Sequence, residues 1–427
     1  MRWRLTRTSR IPANACRKSS RPTSNDELRE LWRPQESRRR RAQGGRHLPD
    51  RPRSGRGQMG ARMNLAVRNQ MEITVSLAGE VIAAVEILPR VRPPLARLFA
   101  GKPASSLLNA LPRLFSLCAA AHQVAFLSAI EAARGVGVNL ATKQRRITLV
   151  VAERLAELLR SLLVTHLAQD INSAAAVRAL MQDVSVLVGG ATAGCGPVSR
   201  EATARIAAAL AALGISNEDG APMRGSPLAL RITALDEVAF KPVPMQHSFL
   251  SAADDHDIIE WLLANDVTVC HRPDLEGRIP ETGPWARQMV RQRPSPGRSP
   301  PAERLKARIA EIVGLCTWLK AGAHIETAQD AIVESYGLGL RRGAAAVECA
   351  RGRLYHAVEL DRQGQMSCFE CLAPTELNFH VRGPLVRSLQ SAVLTKRPQA
   401  QAAIRRVIES FDPCVAFTLN FREVRDA

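Results

Sequence analysis

What most limits the folds open to this chain is where its positive charge lies. Of the 427 residues, the first 62 hold 18 Arg and Lys against 5 Asp and Glu, which is +13 of the +19 formal charge. Only +6 is left for everything after Arg62. That opening segment, with Arg38-Arg39-Arg40-Arg41 among scattered Pro, Ser and Gly, has no apolar periodicity and cannot bury enough surface to order itself. Residues 1–62 are therefore expected to be a disordered tail, with Met59 or Met63 as a natural start. Without interleaved aromatics such a block is weak evidence for nucleic acid, and no nucleic-acid partner is expected. No apolar stretch follows the arginines, so an export signal is not expected, and no run reaches the length of a membrane span. The folded part is residues 63–427, rich in Ala and Leu with 4% aromatics, a composition that favours helices. Nine irregularly spaced cysteines do not form a disulfide framework and read as reduced thiols of a cytoplasmic protein.

Periodicity places the elements. Met71, Ile73, Val75 and Leu77, then Val81, Ala83, Val85 and Ile87, alternate about Gly79 and predict a β-hairpin. Helices follow over 95–111, broken at Gly101 and Pro103, and from Cys118, where Cys118, His122, Ala125, Phe126 and Ala129 share one face. A thiol at that helix start is expected to be shifted toward thiolate by the macrodipole. Further helices are predicted over 146–168, 172–186, 199–213, 254–266, 302–319, 326–335, 385–395 and 399–409. A strand is predicted over 229–240, and a β-rich insert with strands at 354–360 and 365–372. Residues 293–301 (RPSPGRSPP) form a linker.

Three motifs invite chemistry and are better read without it. The Gly-rich run 189–197 lacks the Lys-Ser/Thr ending of a phosphate loop and reads as a connection. Cys270-His271 has no second ligand pair at metal-site spacing. Cys368-Phe369-Glu370-Cys371 falls on a predicted strand, where residues three apart face opposite ways.

Two cysteine segments at the ends of the folded part carry more. One is Pro112-Arg113-Leu114-Phe115-Ser116-Leu117-Cys118-Ala119-Ala120-Ala121-His122; the other is Asp412-Pro413-Cys414-Val415-Ala416-Phe417-Thr418-Leu419-Asn420. They resemble Arg-x-Cys-x-x-Cys-x-x-x-His and Asp-Pro-Cys-x-x-Cys-x-x-His of the nickel–iron hydrogenase large subunit. Phe115, Phe417 and Asn420 stand where that pattern has two cysteines and a histidine. Between them, Glu281-Thr282-Gly283-Pro284-Trp285-Ala286-Arg287 resembles the family's Glu-x-Gly-Pro-x-Ala-Arg. Glu348-Cys349-Ala350-Arg351-Gly352-Arg353-Leu354-Tyr355-His356 resembles its Glu-Ala-Pro-Arg-Gly-x-Leu-x-His, departing at Cys349 and Ala350. Ala373-Pro374-Thr375-Glu376-Leu377-Asn378 resembles Val-Pro-Ser/Thr-Thr-Trp-Asn, departing at Leu377. Half-empty motifs in this order resemble the HupK/HoxV-type maturation proteins, degenerate relatives of the large subunit.

The resemblance implies an α+β, mainly helical, large-subunit-like fold with an N-terminal β-hairpin and a small C-terminal β insert. It implies a non-catalytic scaffold that transiently holds iron with carbon monoxide and cyanide ligands through Cys118 and Cys414, with no stable nickel. Arg351, Pro374, Thr375 and His122 would contact that unit, and HypC/HypD-type maturation proteins and the apo large subunit would be the partners. A metal-free chaperone of the apo-hydrogenase and a divergent hydrogenase are the alternatives.

Overall fold

The computed structural model describes residues 70–427 except 169, 194–199, 217–220, 237–239, 242–246, 265–274, 276, 292–299, 322–330, 391, 395–398 and 425–427. The Arg-rich tail, Cys270-His271 and most of the 293–301 linker lie outside the described residues.

The hairpin forms where alternation places it. Strand β1 (Met71–Ala78) pairs antiparallel with β2 (Val81–Leu88) around Gly79, whose φ of +59° suits a residue without Cβ. Met71, Ile73, Val75 and Leu77 are buried on one face, and fully burying such a side chain contributes about 1.5–3 kcal/mol. On its other edge β1 receives a parallel strand, β9 (Phe417–Glu423), from the far end of the chain, in register from Met71 opposite Phe417 to Leu77 opposite Glu423. The pairing carries Cys414, three residues before β9, to the start of β1. The short strands β3 (Phe240–Lys241) and β8 (Val393–Leu394) complete a sheet of order β3-β8-β2-β1-β9. Its core is shared with helices α12 (Pro384–Leu389) and α13 (Ala400–Ser410), through Leu385, Leu389, Ile404 and Ile408.

A second, antiparallel sheet has the order β4 (Val333–Gly337), β5 (Arg342–Cys349), β6 (Gly352–Leu360), β7 (Met366–Leu372). Helix α3 (Ala119–Arg134) crosses β5 and β6 so closely that a Cβ on Gly343 would lie 2.3 Å from the Ala133 nitrogen. On the opposite side Ala344 and Ala346 join Ile258, Ile259 and Leu262 of α8 (Asp255–Ala264). The β5–β6 turn pairs Cys349 with Gly352, whose φ is +133°. The remaining helices are α1 (Leu95–Phe99), α2 (Ala104–Leu114), α4 (Leu140–Leu162), α5 (Ile171–Ala193), α6 (Arg200–Ala212), α7 (Pro227–Asp236), α9 (Pro284–Arg291), α10 (Pro300–Lys320) and α11 (Pro374–Asn378).

Four sequence expectations fail. The strand expected over 229–240 is helix α7, because Leu228, Ile232 and Leu235 bury at helical spacing. The helix expected over 326–335 ends as strand β4, fixed by pairing with β5. Helix α5 continues through Gly189 and Gly190 to Ala193, into the run read as a connection. The helix expected over 385–395 stops at Leu389 and gives way to β8. Cys368 and Cys371 do sit on a strand, β7. Among the described residues no helix is long and apolar enough to cross a membrane.

Candidate functional site

Cys118 is the residue that caps α3, held by a backbone bond to Phe115 (3.2 Å) and accepting the His122 N–H at its carbonyl (3.0 Å). The helix start is there, yet its dipole does not serve the thiol. Glu153, reaching over from α4, takes the N–H groups of Ala120 and Ala121 at 2.7 and 2.9 Å. Burial lifts Glu153 to about 7, and these two bonds oppose the rise. Burial pushes the Cys118 thiol well above its ordinary value, with Cys349, Cys414 and Glu153 adding to the rise and the Arg351 guanidinium opposing it. The expected shift toward thiolate is thus reversed, since desolvation outweighs a helix end whose donors are occupied by a carboxylate.

Phe115, in the position of the family's first cysteine, stacks on the His122 ring at 3.7 Å with a 10° interplanar angle. His122 is held from the other side by His356 of β6, its Nδ1 2.8 Å from His356 Nε2. Burial drives both imidazoles below the usual range, His356 to about 3, so the pair is neutral near pH 7. His356 Nδ1 is buried without a partner. An orphaned lone pair costs less than an orphaned N–H. His356 Nε2–H therefore donates to His122 Nδ1, and the remaining proton of His122 sits on Nε2.

Cys414 follows a turn in which Asp412 takes a left-handed φ of +50°. That strain is held by Ser161, whose hydroxyl donates to Asp412 at 2.7 Å, and by Arg351, whose Nε donates to the Asp412 carbonyl at 3.0 Å. Thr375, on the first turn of α11 after Pro374, accepts the Cys414 N–H at 3.3 Å and donates its hydroxyl to the Cys414 sulfur at 3.0 Å. Arg351 also reaches Glu157 through Nη1 at 3.4 Å. The Thr375 hydroxyl is turned onto the cysteine sulfur, and the Arg351 guanidinium lies 3.4 Å from a carboxylate oxygen of Glu157 and 3.4 Å from one of Asp412.

All six predicted residues, Cys118, His122, Arg351, Pro374, Thr375 and Cys414, wall one cavity of about 620 Å³. Sequence reasoning did not assign three further members of its wall: Arg90, Arg92 and Cys349. Arg92 donates to Cys371 at 3.2 Å and pairs with Glu376, which in turn accepts the Ala373 N–H at 2.8 Å. Its only signal was two arginines between the hairpin and a Pro-Pro. Cys349 was visible as a departure from the family pattern but had no role attached.

The residues that replace the missing ligands are used elsewhere. Phe417 opens β9, packs against the core of the first sheet and lies 5.4 Å beneath the Arg405 guanidinium. Asn420 is exposed on β9. Among the described residues no group of three or more His, Cys, Asp and Glu side chains is placed to hold a metal ion. The wall does fit an iron with small diatomic ligands. Counting each of the three diatomics as one to two waters of ~30 Å³, they need on the order of 90–180 Å³. Soft sulfur donors on a wall shared with guanidinium groups suit it.

No model of a known protein family matches the chain. It is 54% identical over 366 residues to the hydrogenase expression/formation protein HupK of Bradyrhizobium diazoefficiens, covering 86% of this chain and 100% of that one. It is 34% identical over 370 residues to HupK of Rhizobium leguminosarum bv. viciae (84% and 97% covered). It is 28% identical over 395 residues to the expression/formation protein HoxV of Cupriavidus necator (83% and 98%). Its fold is that of nickel–iron hydrogenase large subunits. A NAD+-reducing [NiFe]-hydrogenase aligns with a TM-score of 0.51 at 14% identity (78% and 93% covered). The Ni-Fe-Se hydrogenase of D. vulgaris Hildenborough gives 0.51 at 12% (79% and 94%).

Proposed function

The chain belongs to the HupK/HoxV family of hydrogenase expression/formation proteins, and we propose that within it the chain is a non-catalytic scaffold for an iron carrying two cyanides and carbon monoxide. The observation that carries this reading is that Cys118 and Cys414, at opposite ends of the folded part, wall one cavity with His122, Arg351, Pro374 and Thr375. The other two cysteine positions are a ring stacked on His122 and a half-buried ring of β9 packed against the first sheet's core. Two thiolates can hold an iron whose remaining positions are filled by diatomic ligands, and they leave nickel short of half its sulfur donors.

The iron unit is cargo. Cys118 and Cys414 bind it as thiolates and release their protons on loading. The Thr375 hydroxyl stabilises the Cys414 thiolate, His122 offers its Nε2–H, and the guanidinium groups of Arg351 and Arg92 offset the negative charge of a dithiolate complex. A half-set of ligands gives up its cargo more readily than a full set. The source would be HypC/HypD-type maturation proteins and the recipient the apo large subunit, all in the cytoplasm. The internal pairing of Arg351 with Glu157 and Asp412 favours one other reading, a metal-free chaperone of the apo subunit.

Infrared spectroscopy decides between them. Protein purified without oxygen from cells expressing the maturation proteins is expected to show bands of iron-bound carbon monoxide and cyanide, with iron near one per chain. The Cys118→Ser/Cys414→Ser double variant is expected to lose both. Parent protein with no bands and no iron would overturn the scaffold reading in favour of the chaperone.

A further inference from the structure

The cavity is larger than its cargo, and one charge on its wall is met by no described residue. Of about 620 Å³, three diatomics occupy on the order of 90–180 Å³, which leaves roughly 440 Å³ or more, the size of a small-ligand pocket. The lining has three guanidinium groups, Arg90, Arg92 and Arg351, against a single carboxylate, Glu376. We propose that the mouth of this cavity receives a segment of a partner protein in which an Asp or Glu, held by Arg90, stands beside an apolar side chain that enters the remaining space. The inference rests on the cargo reading for the space that is left and on the lining alone for what is recognised.

What each guanidinium already does separates the three. Arg351 is buried, donates to the Asp412 carbonyl and stands 3.4 Å from carboxylate oxygens of both Glu157 and Asp412. Arg92 pairs with Glu376 and donates to Cys371 at 3.2 Å. Arg90 is half-buried and lines the cavity, and its guanidinium makes no hydrogen bond or ion pair with any described residue. A guanidinium presents its donors in a fixed fork that matches a carboxylate. The carboxylate of the lining is held by Arg92, so the one for Arg90 comes from outside the chain.

The surroundings of that charge are apolar. Leu88, at the end of β2, is 47% exposed, and Val381, after α11, is 37% exposed; both line the cavity with Pro89 and Val415. Leu88 and Pro89 are exposed and directly precede Arg90, which places its guanidinium at the rim, above the buried Met71, Ile87 and Leu354. A mineral anion would satisfy Arg90 and leave the apolar rim in water. A purely apolar segment would leave the guanidinium unmet. A carboxylate beside an apolar side chain satisfies both. Complementary charge at a rim sets approach and register, while the buried apolar side chain supplies most of the hold.

The test applies the full chain, purified free of metal, to an array of cellulose-bound hexapeptides in which Asp, Glu, Asn or Gln stands between varied apolar residues. Binding is expected at Asp and Glu peptides and not at their Asn and Gln counterparts. For the peptide bound best, titration calorimetry is expected to show Arg90→Ala weaker by about tenfold or more, Arg90→Lys in between and Arg90→Glu without binding. Raising the salt is expected to narrow the gap between parent and Arg90→Ala. Leu88→Asn is expected to weaken binding and leave the salt dependence as it was. Equal binding of Glu and Gln peptides, equal affinity in parent and Arg90→Glu, or an array with no bound peptide overturns the proposal. Self-association that Arg90→Glu abolishes, read by analytical ultracentrifugation, gives the mouth to a second copy and overturns it too. The cargo reading fails separately. Peptide binding without infrared bands removes the cargo and keeps the docking mouth, and bands in a chain that binds no peptide keep the scaffold and remove the partner segment.

Discussion

At the scale of single residues, the cavity is defined by which donor each side chain has already committed. Glu153 takes the α3 amides that would have favoured a Cys118 thiolate, and Thr375 commits its hydroxyl to Cys414. The second of these is directly testable. Thr375→Val removes a donor to sulfur while keeping shape, and a hydrogen bond to a charged acceptor is worth about 1.5–3 kcal/mol. Alkylation of Cys414 by iodoacetamide at fixed pH, followed by mass spectrometry, is expected to slow by about tenfold or more, with Cys316 unchanged as internal reference. An unchanged rate would mean that the hydroxyl does not stabilise the thiolate. That Cys118, Cys414 and Arg351 belong on one wall was legible from motifs matched to a family pattern. The His122–His356 pair and the Glu153 cap were not, because each partner comes from a different element.

Among the elements, the β5–β6 hairpin and α3 do most to place the site, since together they carry Cys118, His122, Cys349, Arg351 and His356. Their contact depends on the absence of one side chain. Gly343 lies where a Cβ would meet the Ala133 nitrogen at 2.3 Å and the Ala129 carbonyl at 2.4 Å, both backbone atoms that cannot swing aside. Gly343→Ala is expected to cost about 1–3 kcal/mol in urea unfolding by displacing α3 from the hairpin. Stability equal to the parent would refute that packing. Strand β5 itself was unreadable beforehand: Arg342–Cys349 contains Ala344-Ala345-Ala346, is buried on both faces and so shows no alternation. The hairpin β1–β2 was readable because one face of it does alternate.

For the molecule as a whole, buried neutral histidines couple the site to stability. His356 has its proton affinity lowered to about 3 in the folded protein, against about 6.5 unfolded. Below pH 6.5 the unfolded chain binds a proton that the folded one refuses, so this contribution is full above about 6.5 and is lost as pH falls toward 3. At pH 5 the loss from His356 amounts to roughly 2 kcal/mol. His356→Gln, which can still donate to His122, is expected to flatten the fall in urea-unfolding free energy between pH 7 and 5 by about that amount. A fall as steep as the parent's would place the acid sensitivity elsewhere.

The sequence by itself determined most of the local elements and the family, because both are carried by short-range pattern: hydrophobic period, Gly and Pro punctuation, and motifs kept in order. It also determined the identity of the two family thiols. Tertiary structure alone decided that β9 pairs with β1, that residues 229–236 are helical rather than extended, and that Cys349 joins Cys118 and Cys414 around one cavity. It reversed the expected tendency of Cys118 as well. The physical reason is common to all of these. Strand pairing, burial and the desolvation of a thiol depend on what the rest of the chain brings alongside, and no local pattern encodes the neighbour.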